Sequence, residues 1–189
     1  MTNNFVFIGD SLTFGYGVHK EDCWVTKLNN LSNFNIINKG INGDTTTSML
    51  DRFYDDVILN NPKSIFFMGG TNDLLSGRSV DSIISNIEEI IIDSKRINAN
   101  LYIGIPPYIK KEMASKLFMP SSYYSYSSNS LPILREKLIT LCNLNSIPYL
   151  DFYNLTLNNL DKDIYTDGIH LNFLGNTLMF EEAMKVLRI

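Results

Sequence analysis

The chain has 189 residues, of which 44% are hydrophobic and 19% charged, and its formal net charge at pH 7 is -4. This length and composition are typical of one globular domain, which we place at residues 1–189, and they exclude a disordered chain. The acidic balance argues against a nucleic-acid partner, since nucleic-acid binders usually carry a basic face. No run approaches the ~20 apolar residues of a membrane span, so we expect no membrane-spanning segment.

The amino terminus and the residue types that could bind a metal narrow the class of protein further. The first four residues lack a basic segment, which predicts a cytoplasmic protein if the chain is complete. Cys23 and Cys142 lie far apart in apolar contexts, and we expect two buried free thiols. Without paired-cysteine spacing, and with only two histidines, the sequence predicts no metal site and no cofactor. It says nothing about the oligomeric state.

Short apolar runs alternate with amphipathic stretches along the chain. The runs are rich in Ile, Val and Phe on both faces, as a parallel sheet covered by helices requires. This alternation predicts a three-layer α/β domain with right-handed crossovers. We predict strands over residues 5–8, 34–38, 65–68, 101–105 and 147–152, and helices over 22–31, 46–60, 80–98, 131–144 and 173–187.

Residues 106–130 do not fit this alternation. The segment has weak periodicity and ends in the tyrosine-rich stretch "PSSYYSYSSNS". A connection of that length in a compact domain is usually a functional or a mobile loop, and we predict a loop here. Tyr123, Tyr124 and Tyr126 are candidate substrate contacts, suited to stacking on a sugar, and they are equally compatible with packing of the loop on itself.

Three loops that follow the first three predicted strands are rich in glycine and small polar residues. They read "GDSLTFGYG", "KGINGDTTT" and "GGTNDLLSG", and a fourth polar segment, "YTDGIHLN", precedes the last predicted helix. Ligands of open α/β sheets bind outside the carboxyl ends of the strands. We therefore expect these segments to share one rim of the sheet.

The fourth segment supplies residues that could activate a serine. A serine nucleophile needs a base within hydrogen-bond reach, and the base needs a group that orients it. Asp167 and His170 lie three residues apart in a turn that contains Gly168, which can place both side chains on one side. This spacing makes a relay from Asp167 through His170 to Ser11 plausible.

Acyl transfer also needs fixed donors for the developing oxyanion. Three are expected at the rim: the backbone N–H groups of Ser11 and Gly43, and the side-chain amide of Asn72. Asp10 is interpreted as a scaffold residue that accepts hydrogen bonds from nearby backbone. Asp44 is interpreted as the cap of the following helix, because Asp is favoured at such ends.

The four segments together resemble a known family. "GDSL", "INGDT", "GGTND" and "DGIH" look like the four ordered motif blocks of the SGNH (GDSL) hydrolases, and they cover the whole domain. The resemblance implies a flavodoxin-like α/β/α fold with a parallel five-stranded sheet, and ester hydrolysis by a serine nucleophile. One departure is Leu171, where many members have proline after the histidine.

Matched position by position, the resemblance assigns roles to the residues found above. It implies that Ser11 is the nucleophile, His170 the base and Asp167 its orienting acid. It also implies that Gly43 and Asn72 donate hydrogen bonds to the oxyanion beside the Ser11 amide.

The expected activity is hydrolysis of a small-molecule carboxylic ester, with a short acyl or O-acetyl group, through an acyl-enzyme. Because the family is broad, a lysophospholipase- or thioesterase-type acylhydrolase stays open. A non-catalytic, flavodoxin-like ligand-binding module is the alternative from another class. The chain lacks the G-x-G-x-x-G loop after the first strand that a dinucleotide site would favour.

Overall fold

The sheet has five parallel strands in the order β2-β1-β3-β4-β5. The structure is a computed structural model that describes residues 3–118 and 120–187. The predicted strands are confirmed, and no end differs from its predicted position by more than two residues. They are β1 Asn4–Gly9, β2 Asn35–Gly40, β3 Ser64–Met68, β4 Asn100–Ile105 and β5 Tyr149–Asp151.

Helices cover both faces of this sheet and complete the three layers. Every residue of β1 and β3 is buried, as the central strands of a covered parallel sheet must be. The helices are α1 Ser11–Phe14, α2 Trp24–Leu31, α3 Thr46–Asp51, α4 Phe53–Asp56, α5 Thr71–Leu75, α6 Val80–Arg96, α7 Lys111–Leu117, α8 Ser122–Asn145, α9 Phe152–Leu157 and α10 Phe173–Val186.

Two apolar cores separate the layers. On one face, α3, α4, α6 and α8 pack on the sheet through residues such as Met49, Ile87 and Leu134. On the other face, α2, α9 and α10 pack around Trp24 and Met179. The predicted three-layer α/β/α architecture is confirmed. No helix in the described ranges is long and apolar enough to cross a membrane.

The predicted loop over residues 106–130 is wrong. The segment contains α7 and the first nine residues of α8, so that Tyr123, Tyr124 and Tyr126 lie on a helix. The helical period is hidden because two buried positions of this half, Ser127 and Ser130, carry serine rather than an apolar residue. The Ser127 hydroxyl donates to the Tyr123 carbonyl oxygen at 2.7 Å, which allows it to be buried.

The helix predicted over residues 46–60 is also divided. It forms α3, α4 and a 3₁₀ turn over Ile58–Asn60.

The carboxyl ends of β1, β2 and β3 lie side by side, because β1 pairs with both of the others. The three glycine-rich loops therefore leave the sheet at one rim, as predicted.

Candidate active site

Ser11 is the first residue of α1, immediately after β1. The turn is tight at Gly9, where a Cβ atom would overlap Thr13 and lie 2.8 Å from the Met68 carbonyl oxygen. Asp10 caps the helix, accepting from the Leu12 backbone N–H at 2.9 Å. Its interpretation as a scaffold residue is confirmed. The strand-to-helix turn holds the Ser11 side chain at the rim of the sheet.

His170 links Ser11 to Asp167. The Ser11 Oγ lies 2.9 Å from His170 Nε2, and His170 Nδ1 lies 2.6 Å from Asp167 Oδ2. The other oxygen of Asp167 accepts from the backbone N–H groups of His170, at 2.7 Å, and Ile169, at 2.9 Å. These bonds fix the carboxylate within its own turn, so it can orient the imidazole.

Two opposing effects act on the pKa of Asp167. Burial by itself raises the pKa of the carboxyl, but the hydrogen bonds from the His170 side chain and from the backbone of His170 and Ile169 outweigh it. The pKa therefore lies below its ordinary value. Asp167 is ionised at neutral pH, so its Oδ2 can accept a hydrogen bond from a protonated Nδ1 of His170; in that tautomer Nε2 is free to accept a proton.

Asn72 links the two segments that carry the other predicted oxyanion donors, Ser11 and Gly43. The Asn72 amide donates to the Asp44 carbonyl oxygen at 2.9 Å, and its nitrogen lies 3.5 Å from Asp10 Oδ2. Asn72 thus contacts the residue before Ser11 and the residue after Gly43. Within the described ranges, neither the Ser11 nor the Gly43 backbone N–H has an acceptor. Two unpaired N–H groups and an amide at one place suit an incoming oxyanion.

The buried carboxyl of Asp10 lies next to these donors, with Oδ2 3.5 Å from the Asn72 amide nitrogen. Burial raises the pKa of Asp10 to about 7, with further upward contributions from the Asp44 and Asp73 charges, against the Leu12 hydrogen bond and His170. The sequence shows Asp10 next to Ser11. Its neighbours in space, and hence its pKa, depend on the fold and could not be predicted.

The interpretation of Asp44 as a helix cap is wrong. Thr45 caps α3, its hydroxyl accepting from the Ser48 N–H, while Asp44 pairs with Arg52 at 2.7 Å. Arg52 also donates to the Gly9 carbonyl oxygen at 3.1 Å. This arginine, which the sequence analysis missed, connects the loop of Gly43 to the end of β1.

Sequence reasoning also missed Tyr16. Its ring lies against the His170 ring, with centroids 4.4 Å apart, and the side chain is 47% exposed. The only signal was its place in the glycine-rich "FGYG" stretch. The described residues contain no group of three or more His, Cys, Asp or Glu side chains that could hold a metal ion.

The three candidate tyrosines have different surroundings in the structure. Tyr123 and Tyr124 line a cavity of about 240 Å³, called here the side cavity, whereas Tyr126 does not. The Tyr126 hydroxyl instead donates to the Arg78 carbonyl oxygen at 2.8 Å. The side cavity is lined by Leu75, Phe118, Ser121, Tyr123, Tyr124 and Ile169.

A serine, a histidine and an aspartate joined in this order by hydrogen bonds, beside unpaired N–H donors, define the class of serine hydrolases. The model of the GDSL-like lipase/acylhydrolase family matches residues 7–178. The chain belongs to that family, and it is a carboxylic ester hydrolase.

Individual relatives are distant but extend over most of the chain. An arylesterase of Vibrio mimicus is 27% identical over 149 residues, 74% of each chain. The thioesterase 1/protease 1/lysophospholipase L1 of Escherichia coli K12 is 23% identical over 172 residues, 90% of this chain and 76% of the relative. The crystal structure of a lipolytic G-D-S-L family protein from Veillonella parvula superposes with a TM-score of 0.81, at 23% identity and 98% coverage of both chains.

Proposed function

We propose that the chain hydrolyses small carboxylic esters through an acyl-enzyme formed on Ser11. The observation that carries the proposal is the unbroken set of hydrogen bonds from Asp167 through His170 to the Ser11 hydroxyl. In the first step Ser11 Oγ attacks the carbonyl carbon, and its proton passes to His170 Nε2. The tetrahedral intermediate then breaks its bond to the alcohol oxygen, which takes the proton from His170 and leaves.

Water completes the cycle. A water molecule gives its proton to His170 and attacks the acyl carbon, and the second intermediate breaks its bond to Ser11 Oγ, which recovers the proton. The net reaction is ester plus water to carboxylic acid plus alcohol. In both intermediates the oxyanion accepts hydrogen bonds from the N–H groups of Ser11 and Gly43 and from the Asn72 amide, whose fixed positions lower the barrier.

Two kinds of substrate are compatible with this chemistry. The Vibrio relative is an arylesterase, and the Escherichia coli relative carries thioesterase and lysophospholipase names. We favour short-chain esters, because the apolar side cavity next to the turn of His170 has a volume of about 240 Å³, which suits a short acyl group. The thioesterase or lysophospholipase function is the second candidate. A non-catalytic module is disfavoured by the complete Ser–His–Asp arrangement.

Turnover of p-nitrophenyl acetate by purified protein tests the proposal. Ser11→Ala should lower kcat at least about 10⁴-fold while the circular dichroism spectrum stays unchanged, since the nucleophile is lost. Ser85→Ala is the matched control, because Ser85 is exposed on α6, and it should retain wild-type turnover. Equal turnover by Ser11→Ala and wild type would contradict the proposal.

The remaining expectations from the sequence stay predictions. A cytoplasmic location is tested by fractionation of the source cells, and the absence of nucleic-acid binding by a gel-shift measurement at low salt.

A further inference from the structure

The side cavity is apolar and lies beside the candidate active site. Its walls are the end of α5, the α7–α8 junction and the turn that carries His170. Of its six lining residues only Ser121 is not aromatic or aliphatic, and its hydroxyl accepts from the Tyr123 N–H at 3.2 Å. Among the described residues no charged side chain lines the cavity, so it suits an uncharged, apolar group.

Two of the residues that line the cavity are close in sequence to Asn72 and His170. Leu75 lies one turn beyond Asn72 in α5, and side chains at that spacing are about 5–6 Å apart. Ile169 directly precedes His170 and donates its N–H to Asp167. The side cavity therefore borders the two segments that carry Asn72 and His170.

The geometry of the reaction selects which part of the ester enters. The carbonyl oxygen faces Asn72 and its companion donors, and the alcohol oxygen must face His170 Nε2 to receive a proton. On that side the His170 ring lies against the ring of Tyr16, which is half-exposed at the protein surface. The remaining substituent of the carbonyl carbon is the acyl group.

The cavity is preformed by contacts of its own walls. The Tyr123 ring lies against Gly77, whose Cβ atom, if present, would be 2.6 Å from Tyr123 Cε1. The Tyr126 hydroxyl fastens the next residue, Arg78, to the same helix. These contacts hold α8 against the loop after α5, while Tyr123 and Phe118 stay 50% and 47% exposed. The walls are thus fixed, and apolar surface is left open for a ligand.

We propose that the side cavity binds the acyl group of the substrate, and that this group is larger than acetyl: a phenyl ring or a short alkyl chain. The proposal rests on the ester hydrolysis proposed above. In another protein, a cavity of about 150 Å³ holds benzene, so about 240 Å³ has room for a benzoyl or hexanoyl group and not for a long fatty-acyl chain. An acetyl group would leave it almost empty.

The test compares two series of esters on the same variants. One series keeps p-nitrophenol and varies the acyl group from acetyl through hexanoyl and benzoyl to dodecanoyl. The other keeps acetyl and varies the alcohol from phenol to 2-naphthol. Tyr124→Ala and Phe118→Ala remove cavity walls, and Tyr54→Ala, at an exposed tyrosine of α4 outside the cavity, is the matched control. The readout is kcat/KM for each ester divided by kcat/KM for p-nitrophenyl acetate.

Wild type should prefer hexanoyl or benzoyl to both acetyl and dodecanoyl. Tyr124→Ala or Phe118→Ala should lower that preference about tenfold, with little effect in the alcohol series, because the lost contacts are to the acyl group. Tyr54→Ala should keep the wild-type ratio.

Three results would overturn the proposal. Unchanged ratios in both series, with acetyl turnover intact, would show that the cavity binds no part of the substrate. A change confined to the alcohol series would assign the cavity to the alcohol. Absence of ester turnover by the wild type would overturn the proposed function as well, and is thereby distinguished from the other two.

Discussion

Asn72 illustrates how one residue serves both the fold and the proposed chemistry. Its amide nitrogen carries two protons, and one is donated to the Asp44 carbonyl oxygen at 2.9 Å. That bond aligns the amide. Within the described residues the amide nitrogen otherwise makes only a long, 3.5 Å contact with Asp10 Oδ2, which an oxyanion can replace. Donors that are fixed before the reaction contribute most to the stability of the transition state.

We therefore predict that Asn72→Ala lowers kcat about 10²–10³-fold and leaves KM nearly unchanged, because the bond forms to the oxyanion rather than to the ground-state ester. Asn72→Asp should be worse, since it places a negative charge against the developing one. Steady-state kinetics on p-nitrophenyl hexanoate measures both constants.

Asn86→Ala controls for the loss of an amide that only supports structure, since Asn86 donates to the hydroxyls of Thr46 and Thr47. A raised KM with kcat spared in Asn72→Ala would make Asn72 a substrate-binding residue instead.

Single residues were predicted from the sequence to different extents. The hydrogen-bonded residues Ser11, Asp167 and His170 sit in short motifs whose residue types and order are visible in the chain. Tyr16 was missed, because its contact with His170 joins segments at opposite ends of the sequence. Asp44 was misinterpreted, because two adjacent residues could each cap the helix and the ion pair with Arg52 depends on tertiary structure.

At the scale of elements, α7 supports the turn that carries the candidate base. Gly168 has φ +92°, and a Cβ atom there would lie 2.6 Å from the Lys110 carbonyl oxygen and 2.7 Å from the Ala114 nitrogen. Both are backbone atoms that cannot move aside like a flexible side chain. The Lys110 N–H also donates to the Gly168 carbonyl oxygen at 2.8 Å. The position of the turn therefore depends on its contact with α7.

Gly168→Ala is predicted to destabilise the protein by about 3 kcal/mol and to lower kcat/KM at least about tenfold, because the turn must move away from α7. Gly17→Ala is the matched control. Gly17 has φ +86°, but its nearest neighbour would be Thr166 at an ordinary 3.4 Å. It should cost only about 1 kcal/mol of backbone strain.

Chemical denaturation and ester kinetics on both variants measure the difference. Equal losses in the two variants would mean that backbone strain alone matters, and that α7 does not position the turn.

Elements with a clear apolar period were predicted well, and those without one were not. The central strands β1 and β3 follow from runs of Ile, Val and Phe buried on both faces. The amino-terminal half of α8 was missed because two of its buried positions carry serine, Ser127 and Ser130, instead of an apolar residue. The Ser127 hydroxyl can be buried because it donates a hydrogen bond to the Tyr123 carbonyl oxygen. The short helices α1 and α5 were not predicted, because four or five residues are too few to show a helical period.

For the molecule as a whole, two buried carboxyls give opposite pH dependence to the free energy of unfolding. The pKa of Asp10 is raised to about 7 by burial, so its contribution is complete below the unfolded value of 3.8 and is lost as pH rises toward 7. The pKa of Asp167 is lowered, so its contribution is present above 3.8 and is lost only as pH falls below that value.

Asp10→Asn should therefore gain stability relative to wild type as pH rises from 4 to 8, by an amount on the order of a few kcal/mol, because the variant carries no charge to bury. Urea unfolding at several pH values measures the difference. Asp161→Asn, at an exposed position, is the control and should show no such trend. A constant difference between Asp10→Asn and wild type would mean that Asp10 ionises in the folded protein as it does in the unfolded chain.

The layer architecture was predictable because it depends on the alternation of buried strands and amphipathic helices along the chain. The side cavity was not, since its walls come from α5, the α7–α8 junction and the turn of Ile169, and their meeting is a property of the packed molecule.

The nucleophilic role of Ser11 is the central claim, and covalent labelling tests it most directly. A fluorophosphonate should modify the protein once, and peptide mass mapping should place the adduct on Ser11, because this is the one hydroxyl among the described residues that is bonded to the His170–Asp167 pair. His170→Ala should slow the labelling strongly, since the serine then lacks its base. An adduct on another serine, or labelling of Ser11→Ala at the wild-type rate, would contradict the account.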